Sequence, residues 1–168
     1  LLLSYNLVLA FYPLTLEQQN VFQFLDGKQD LSIHYTAAEI SHLQDVAAVM
    51  KRVNIAFYVL GIIMMVILIY SWKRKDSLQR MVRYAGITSI AILLVLLLLV
   101  ALSFNSLFTL FHQLFFPQGN WQFAADSLLI QTFPIEFFVR ISVIIFVLAF
   151  LLSLGLFFSQ KLFSKHLS

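Results

Sequence analysis

Three stretches of this chain carry almost no charge, and they decide what it can fold into. Residues 53–72 (VNIAFYVLGIIMMVILIYSW) run 20 positions without a charged side chain, and residues 86–108 run 23 with an unbroken aliphatic middle. Residues 137–158 add 22 more with a single charge, Arg140, near the start. At 1.5 Å per residue, each is long enough to cross a hydrocarbon layer about 30 Å thick. Arg140 lies close enough to its end to reach the headgroups by snorkelling. Across the 168 residues, 61% are hydrophobic and 11% charged, against about 45–50% and about 25% in soluble domains. The fold class this predicts is an all-α integral membrane protein.

Residues 1–12 (LLLSYNLVLAFY) are also apolar, but 12 residues make only about 18 Å of helix, too little to span. They read as the outer end of a truncated first span, which gives a four-helix transmembrane bundle in a single domain. Five of the eleven basic residues, Lys73, Arg74, Lys75, Arg80 and Arg83, fall in the connection 73–85, which the positive-inside rule assigns to the cytoplasm. The tail 159–168 returns to that side, and segments 13–52 and 109–136 lie outside. Clustering of so much of the positive charge in one short loop between spans removes the reason to invoke nucleic acid as a partner, as does the lack of a basic patch interleaved with aromatics.

The outer segments are too long to be mere connectors. Pro13 followed by Thr15-Leu-Glu-Gln-Gln19 reads as a helix start with an apolar face from Val21, Phe22, Phe24 and Leu25. Asp26-Gly27 reads as a turn between short extended pieces, such as residues 20–25 and 31–35. Thr36-Ala-Ala-Glu39 has the spacing of a capping box opening a second helix that runs through His42 and Asp45. The extracytoplasmic part is therefore expected to hold helix and short strands.

With no Cys, disulfides, thiolate metal sites and a cysteine nucleophile are excluded. No nucleophile elbow, zincin motif, phosphate loop or dinucleotide fingerprint is present. Four His remain. His166 sits in a terminal tail and His34 in the outer segment without an acid–base partner, and both read as surface or packing residues. His42 shares a helix face with Asp45, three residues on, which suits Asp45 to orient its imidazole. His112 lies just past the outer end of the span 86–108 in Phe111-His-Gln-Leu-Phe-Phe116. Each of the two alone also reads as a solvated-helix or interfacial packing residue.

Topology puts His42 and His112 on the same side at headgroup depth, where imidazoles suit general acid–base work on an ester carbonyl. Trp121 belongs to a turn, PQGNWQF, able to embed in the interface. Asp126, Glu136 and Arg140 complete the polar set, with Arg140 spaced either to pair with Glu136 or to bind an anionic or carbonyl group of a substrate. The His and Asp residues do not have the spacing of a known metal site, so neither metal nor cofactor is expected.

The segments AEISHLQDVAAVM (residues 38–50) and FHQLFFPQGNWQFAADSLLIQTFPIEFF (residues 111–138) resemble a bacterial four-span membrane family, that of the lipoprotein intramolecular transacylase. The resemblance covers nearly the whole chain. Leu43 stands where family members carry Met after the first motif His. The resemblance implies a bacterial cell-membrane acyltransferase acting on a diacylated lipoprotein N-terminus within the lipid. The sn-2 acyl chain of its diacylglyceryl-modified cysteine moves to that cysteine's own α-amine, giving the lyso form. His42 and His112, matching the two motif histidines, would be the catalytic pair, working on the extracytoplasmic side.

An ester-to-amide shift runs downhill and needs no nucleotide site. Holding amine and ester of one molecule together supplies much of the rate. Two other readings stand beside this one. One is a non-catalytic membrane protein that binds a partner through its outer segment, for which the two imidazoles would lie in separate surroundings. The other is a small-solute transporter, for which charges at mid-membrane would be expected. The middles of spans 53–72 and 86–108 carry none.

Overall fold

The computed structural model describes residues 12–31 and 35–165. It is helical, with five elements: α1 (Leu16–Leu25), α2 (Ala37–Ser71), α3 (Lys75–Phe115), α4 (Leu128–Thr132) and α5 (Ile135–Lys165). Three of these, α2, α3 and α5, contain stretches long and apolar enough to cross a membrane. Residues 1–11 of the expected first-span end (1–12), residues 32–34 of the expected extended piece 31–35, His34 among them, and the terminal residues 166–168 lie outside the described residues.

Side chains that would be hidden in a soluble protein are exposed along the spans. Ile62, Met65 and Ile69 on α2 are each more than 60% exposed, which is tolerable only where the surrounding solvent is hydrocarbon. Helix α5 packs differently. Phe137, Ile141, Ile145, Ala149 and Ser153 are all buried, and their four-residue spacing places them in one stripe along the helix. The Ser153 hydroxyl bonds back to the carbonyl of Ala149 at 2.8 Å, so even the polar member of that stripe keeps a partner.

The dense part of the molecule is at the outer end. Val21, Tyr35, Leu43, Leu129, Phe133, Phe137, Ile141 and Ile145 form one buried cluster that joins the outer segments to the head of α5. Both expected helix starts form. Thr15 and Gln18 close one capping box and Thr36 and Glu39 close the other, so four otherwise orphaned amide groups are satisfied locally. Gln18 also reaches across to donate to the main-chain oxygen of Thr132 at 2.9 Å. The Thr132 hydroxyl bonds to Leu128 oxygen at 2.8 Å and meets Tyr35 Oη at 3.3 Å.

Three details differ from the sequence-based expectations. Residues 20–25 are the second half of α1 rather than an extended piece, because the Thr15 cap and the apolar face at Val21 and Phe22 favour continuing the helix. No strand occurs among the described residues. The basic connection is mostly helical: only Trp72, Lys73 and Arg74 separate α2 from α3, since Lys, Arg, Gln, Leu and Met are good helix formers. Helix α3 also bends at Ser103, whose backbone is non-helical (φ −159°, ψ 65°). The Ser103 hydroxyl donates to Ser106 Oγ at 2.6 Å across the bend.

Candidate active site

The two histidines singled out by sequence come together although 70 residues separate them. Their rings are 6.0 Å apart between centroids and inclined by only 27°. His42 comes from the second turn of α2 and His112 from the last turn of α3. Both lie outside the apolar stretches 53–72 and 86–108, and both are buried. Phe116, 2% exposed, fits beside both rings, at 4.8 Å from His42 and 5.5 Å from His112. Trp121 covers His112 at 4.9 Å and Phe123 flanks His42 at 5.7 Å.

Burial in this aromatic setting disfavours imidazolium. It depresses His42, with the neighbouring His112 adding to the effect, and the opposing influence of Asp45 and Asn120 is smaller. The result is a pKa of about 4. His112 is also held below the usual imidazole value by burial, against a weaker opposite push from the Phe108 carbonyl. Both rings are therefore neutral at physiological pH, the form in which an imidazole can accept a proton.

Asp45 does not bind His42 directly, contrary to what the three-residue spacing suggested. Its carboxylate accepts Nδ2–H of Asn120 at 2.6 Å and Nε2–H of Gln118 at 2.7 Å. Those hydrogen bonds, Asn120 first, hold Asp45 below its ordinary pKa. The turn that delivers them requires Gly119, whose φ of 79° is the left-handed conformation glycine adopts without a steric penalty. Its amide bonds to Phe116 oxygen at 3.1 Å. Sequence reasoning missed Gln118 and Asn120 because they lie more than 70 residues from Asp45. The only local clue was the turn composition around Gly119.

Glu39 is a second missed residue. The capping-box spacing accounts for only part of its role: it is 2% exposed and also accepts the amide of Leu129 at 2.9 Å. Burial pushes its carboxyl up, but hydrogen bonds from Leu129, Thr36 and Leu128 outweigh that and leave it below the usual range. One turn before His42, it ties α2 to the start of α4.

Asp126, Glu136 and Arg140, expected in the same polar set, stay exposed and do not join this cluster. Among the described residues the ion pair that forms is Lys28 with Asp26, and Glu136 and Arg140 remain unpaired. Glu136 occupies the first turn of α5, where the helix dipole already favours a carboxylate without a cation. No group of three or more potential metal ligands occurs among the described residues.

A family model for the lipoprotein intramolecular transacylase Lit matches residues 2–138. The chain belongs to the lipoprotein intramolecular transacylase family. The span that matches the Lit model contains both histidines, Asp45 and the Gln118–Asn120 turn. A protein of Aquifex aeolicus (strain VF5), described as uncharacterized, is 27% identical over 136 residues, or 79% of this chain and 59% of that protein. The chain thus spans less than two thirds of that relative. The in meso structure of the membrane integral Lit from Bacillus cereus superposes with a TM-score of 0.76 at 22% identity, covering 90% of this chain and 74% of that one. At that identity the likeness speaks for a shared membrane-integral fold.

Proposed function

We propose that this chain is an intramolecular acyltransferase. It moves the sn-2 acyl chain of a diacylglyceryl-modified lipoprotein N-terminal cysteine to that cysteine's own α-amine. The observation that carries this reading is the convergence of two neutral, buried imidazoles in a family whose name is that of a transacylase.

The reaction is an isomerisation. The α-amine attacks the ester carbonyl carbon, the new C–N bond forms, the C–O bond to the glyceryl oxygen breaks, and a proton passes from nitrogen to that oxygen. A free α-amino group has a pKa of about 7.7–8.0, so near neutrality much of it arrives as ammonium. Nδ1 of His112 lies 2.8 Å from Phe108 oxygen, which places its proton on Nδ1 and leaves the Nε2 lone pair to take the ammonium proton. In the tetrahedral adduct one of the two remaining nitrogen protons reaches the leaving oxygen through His42, and the other stays on the amide nitrogen of the product. Its depressed pKa makes it a ready donor once it has been charged. Since amine and ester belong to one molecule, holding them together supplies the larger share of the rate.

The site belongs to the extracytoplasmic side on this reading. Lys73, Arg74, Lys75, Arg80 and Arg83 sit at the opposite ends of α2 and α3 from the histidines, where the positive-inside rule assigns the cytoplasm. His42→Ala and His112→Ala should each abolish lyso-form product, read by mass spectrometry of a lipoprotein N-terminal peptide, with the protein still folded. Full product from either variant removes that residue from the mechanism.

A further inference from the structure

Two buried side-chain polar atoms among the described residues lack a hydrogen-bond partner, and they are Nδ1 of His42 and Oδ1 of Asn120. Leaving either unmet costs free energy, and the Asn120 side chain is near enough to His42 to favour its protonated form, so the two unmet atoms bear on one another. The orientation of the Asn120 amide is not open to exchange of its two ends. Its Nδ2 donates to the Asp45 carboxylate at 2.6 Å and to Ser41 Oγ at 3.4 Å. A carboxylate takes donors only, so the amide nitrogen must face Asp45 and the oxygen must be the end left over.

We propose that Asn120 is the positioning residue of His42: its amide oxygen, aimed by Asp45, receives Nδ1–H of His42 and so keeps Nε2 as the lone-pair nitrogen. The same outcome is reached at His112 by different means, a main-chain carbonyl one turn back. Both imidazoles then present an Nε2 lone pair, the state required to take protons from an amine. Asn120 lies near enough to His42 to favour its protonated form. The other titratable groups facing His42 are Asp45 on its own helix and His112 on α3. Asp45 thus acts two bonds away, through the amide.

This inference deepens the transacylase reading and rests on it for its rate effects, but the proton position can be read without any turnover. Protein labelled with ¹⁵N-histidine in detergent micelles reports which ring nitrogen carries the proton. His42 should carry it on Nδ1, and Asn120→Ala should shift the population towards Nε2. In the same variant kcat should fall about 10- to 100-fold, the effect of losing one hydrogen bond to a group that becomes charged, with KM little changed. The His42 titration midpoint should also move down.

Exchanging the two residues, Asp45→Asn together with Asn120→Asp, reverses donor and acceptor between them and leaves a carboxylate oxygen facing Nδ1. That double variant should recover at least about tenfold over Asn120→Ala and raise the His42 midpoint above wild type. A wild-type His42 protonated on Nε2, or an Asn120→Ala protein with unchanged proton position and rate, overturns the assignment. If Asn120→Ala fails to fold, the wild-type spectrum and the double exchange decide. A wild-type protein that makes no lyso product removes the transacylase reading while the spectra still settle the Asn120–His42 contact.

Discussion

Nδ1 of His112 stands 2.8 Å from the main-chain oxygen of Phe108, one helical turn earlier. A carbonyl cannot donate, so the ring must, and the choice of tautomer is written into the backbone of α3. No side-chain substitution at Phe108 can remove that acceptor. The helix that carries the histidine therefore also sets its proton, and only the Nε2 face is left for chemistry.

Both imidazoles should titrate below the ordinary value of 6.5. For His42 the expected midpoint is about 4; for His112 only the downward direction is set, by burial. A histidine depressed on folding opposes the fold when the solution drops below the unfolded pKa, so acidification between 6.5 and the native midpoint should erode stability. NMR titration of the labelled protein measures both midpoints, and either one found above 6.5 contradicts the burial described.

Glu39→Ala should destabilise the outer end by roughly 2–4 kcal/mol, because it strips a buried acceptor from the amides of Thr36 and Leu129. The pH dependence has a definite sign. The native pKa of Glu39 is depressed, so its contribution is complete above the unfolded carboxylate value and fades as pH falls through the native one. Thermal unfolding in detergent, followed across that acidic range, should fall less steeply for Glu39→Gln than for wild type.

Gln18→Ala removes the donor to Thr132 oxygen and leaves a carbonyl without its partner at the end of α4. The loss of about 1–3 kcal/mol that follows from an unmet buried acceptor should appear locally. Amide hydrogen exchange in Leu128–Thr132 should speed up by at least about fivefold, with the apolar middle of α3 unaffected.

Phe116→Ala empties a nearly closed space beside both rings. The cost is about 3–5 kcal/mol in a well-packed site, and water admitted there weakens the desolvation that depresses His42. Its titration midpoint should rise towards 6.5 and product formation should fall. A Phe116→Leu protein should lie between the two, and an unmoved midpoint in Phe116→Ala would separate the ring from the electrostatics of the pair.

Asp126→Asn should change the yield of lyso product by less than about threefold, in keeping with the small effects of exposed substitutions. Its side chain is exposed, and what links Asp126 to α4 is its main-chain oxygen, which accepts from Gln131 at 3.1 Å. A large loss of product would show that the substrate extends to this edge.

The spans, both helix starts and the candidacy of His42 and His112 are legible because each is encoded locally. A run of uncharged residues, a Thr followed three positions later by Gln or Glu, and a histidine beside a span end are all visible within a short window. The rest depended on partners far away in sequence. Asp45 seemed destined for His42 because helix geometry puts them on one face, whereas its actual donors are brought by a turn after α3. Glu39 looked complete as a cap, and nothing local announced Leu129, 90 residues on. Helix α4 was missed because five residues are too few to show a period, and it depends on the Ser127 cap.

The three-residue link between α2 and α3 gives the site an unusual mechanical setting. His42 lies about 45 Å along α2 from that link at 1.5 Å per residue, so the two rings sit at the far ends of two long helices joined by three residues. A swing of about one degree would carry a ring by about 0.8 Å at that reach. The Asp45 carboxylate, gripped by Gln118 and Asn120, and the Glu39 carboxylate, bonded to the Leu129 amide, therefore act as clasps across the outer ends of these helices, and the spacing of the two imidazoles depends on them.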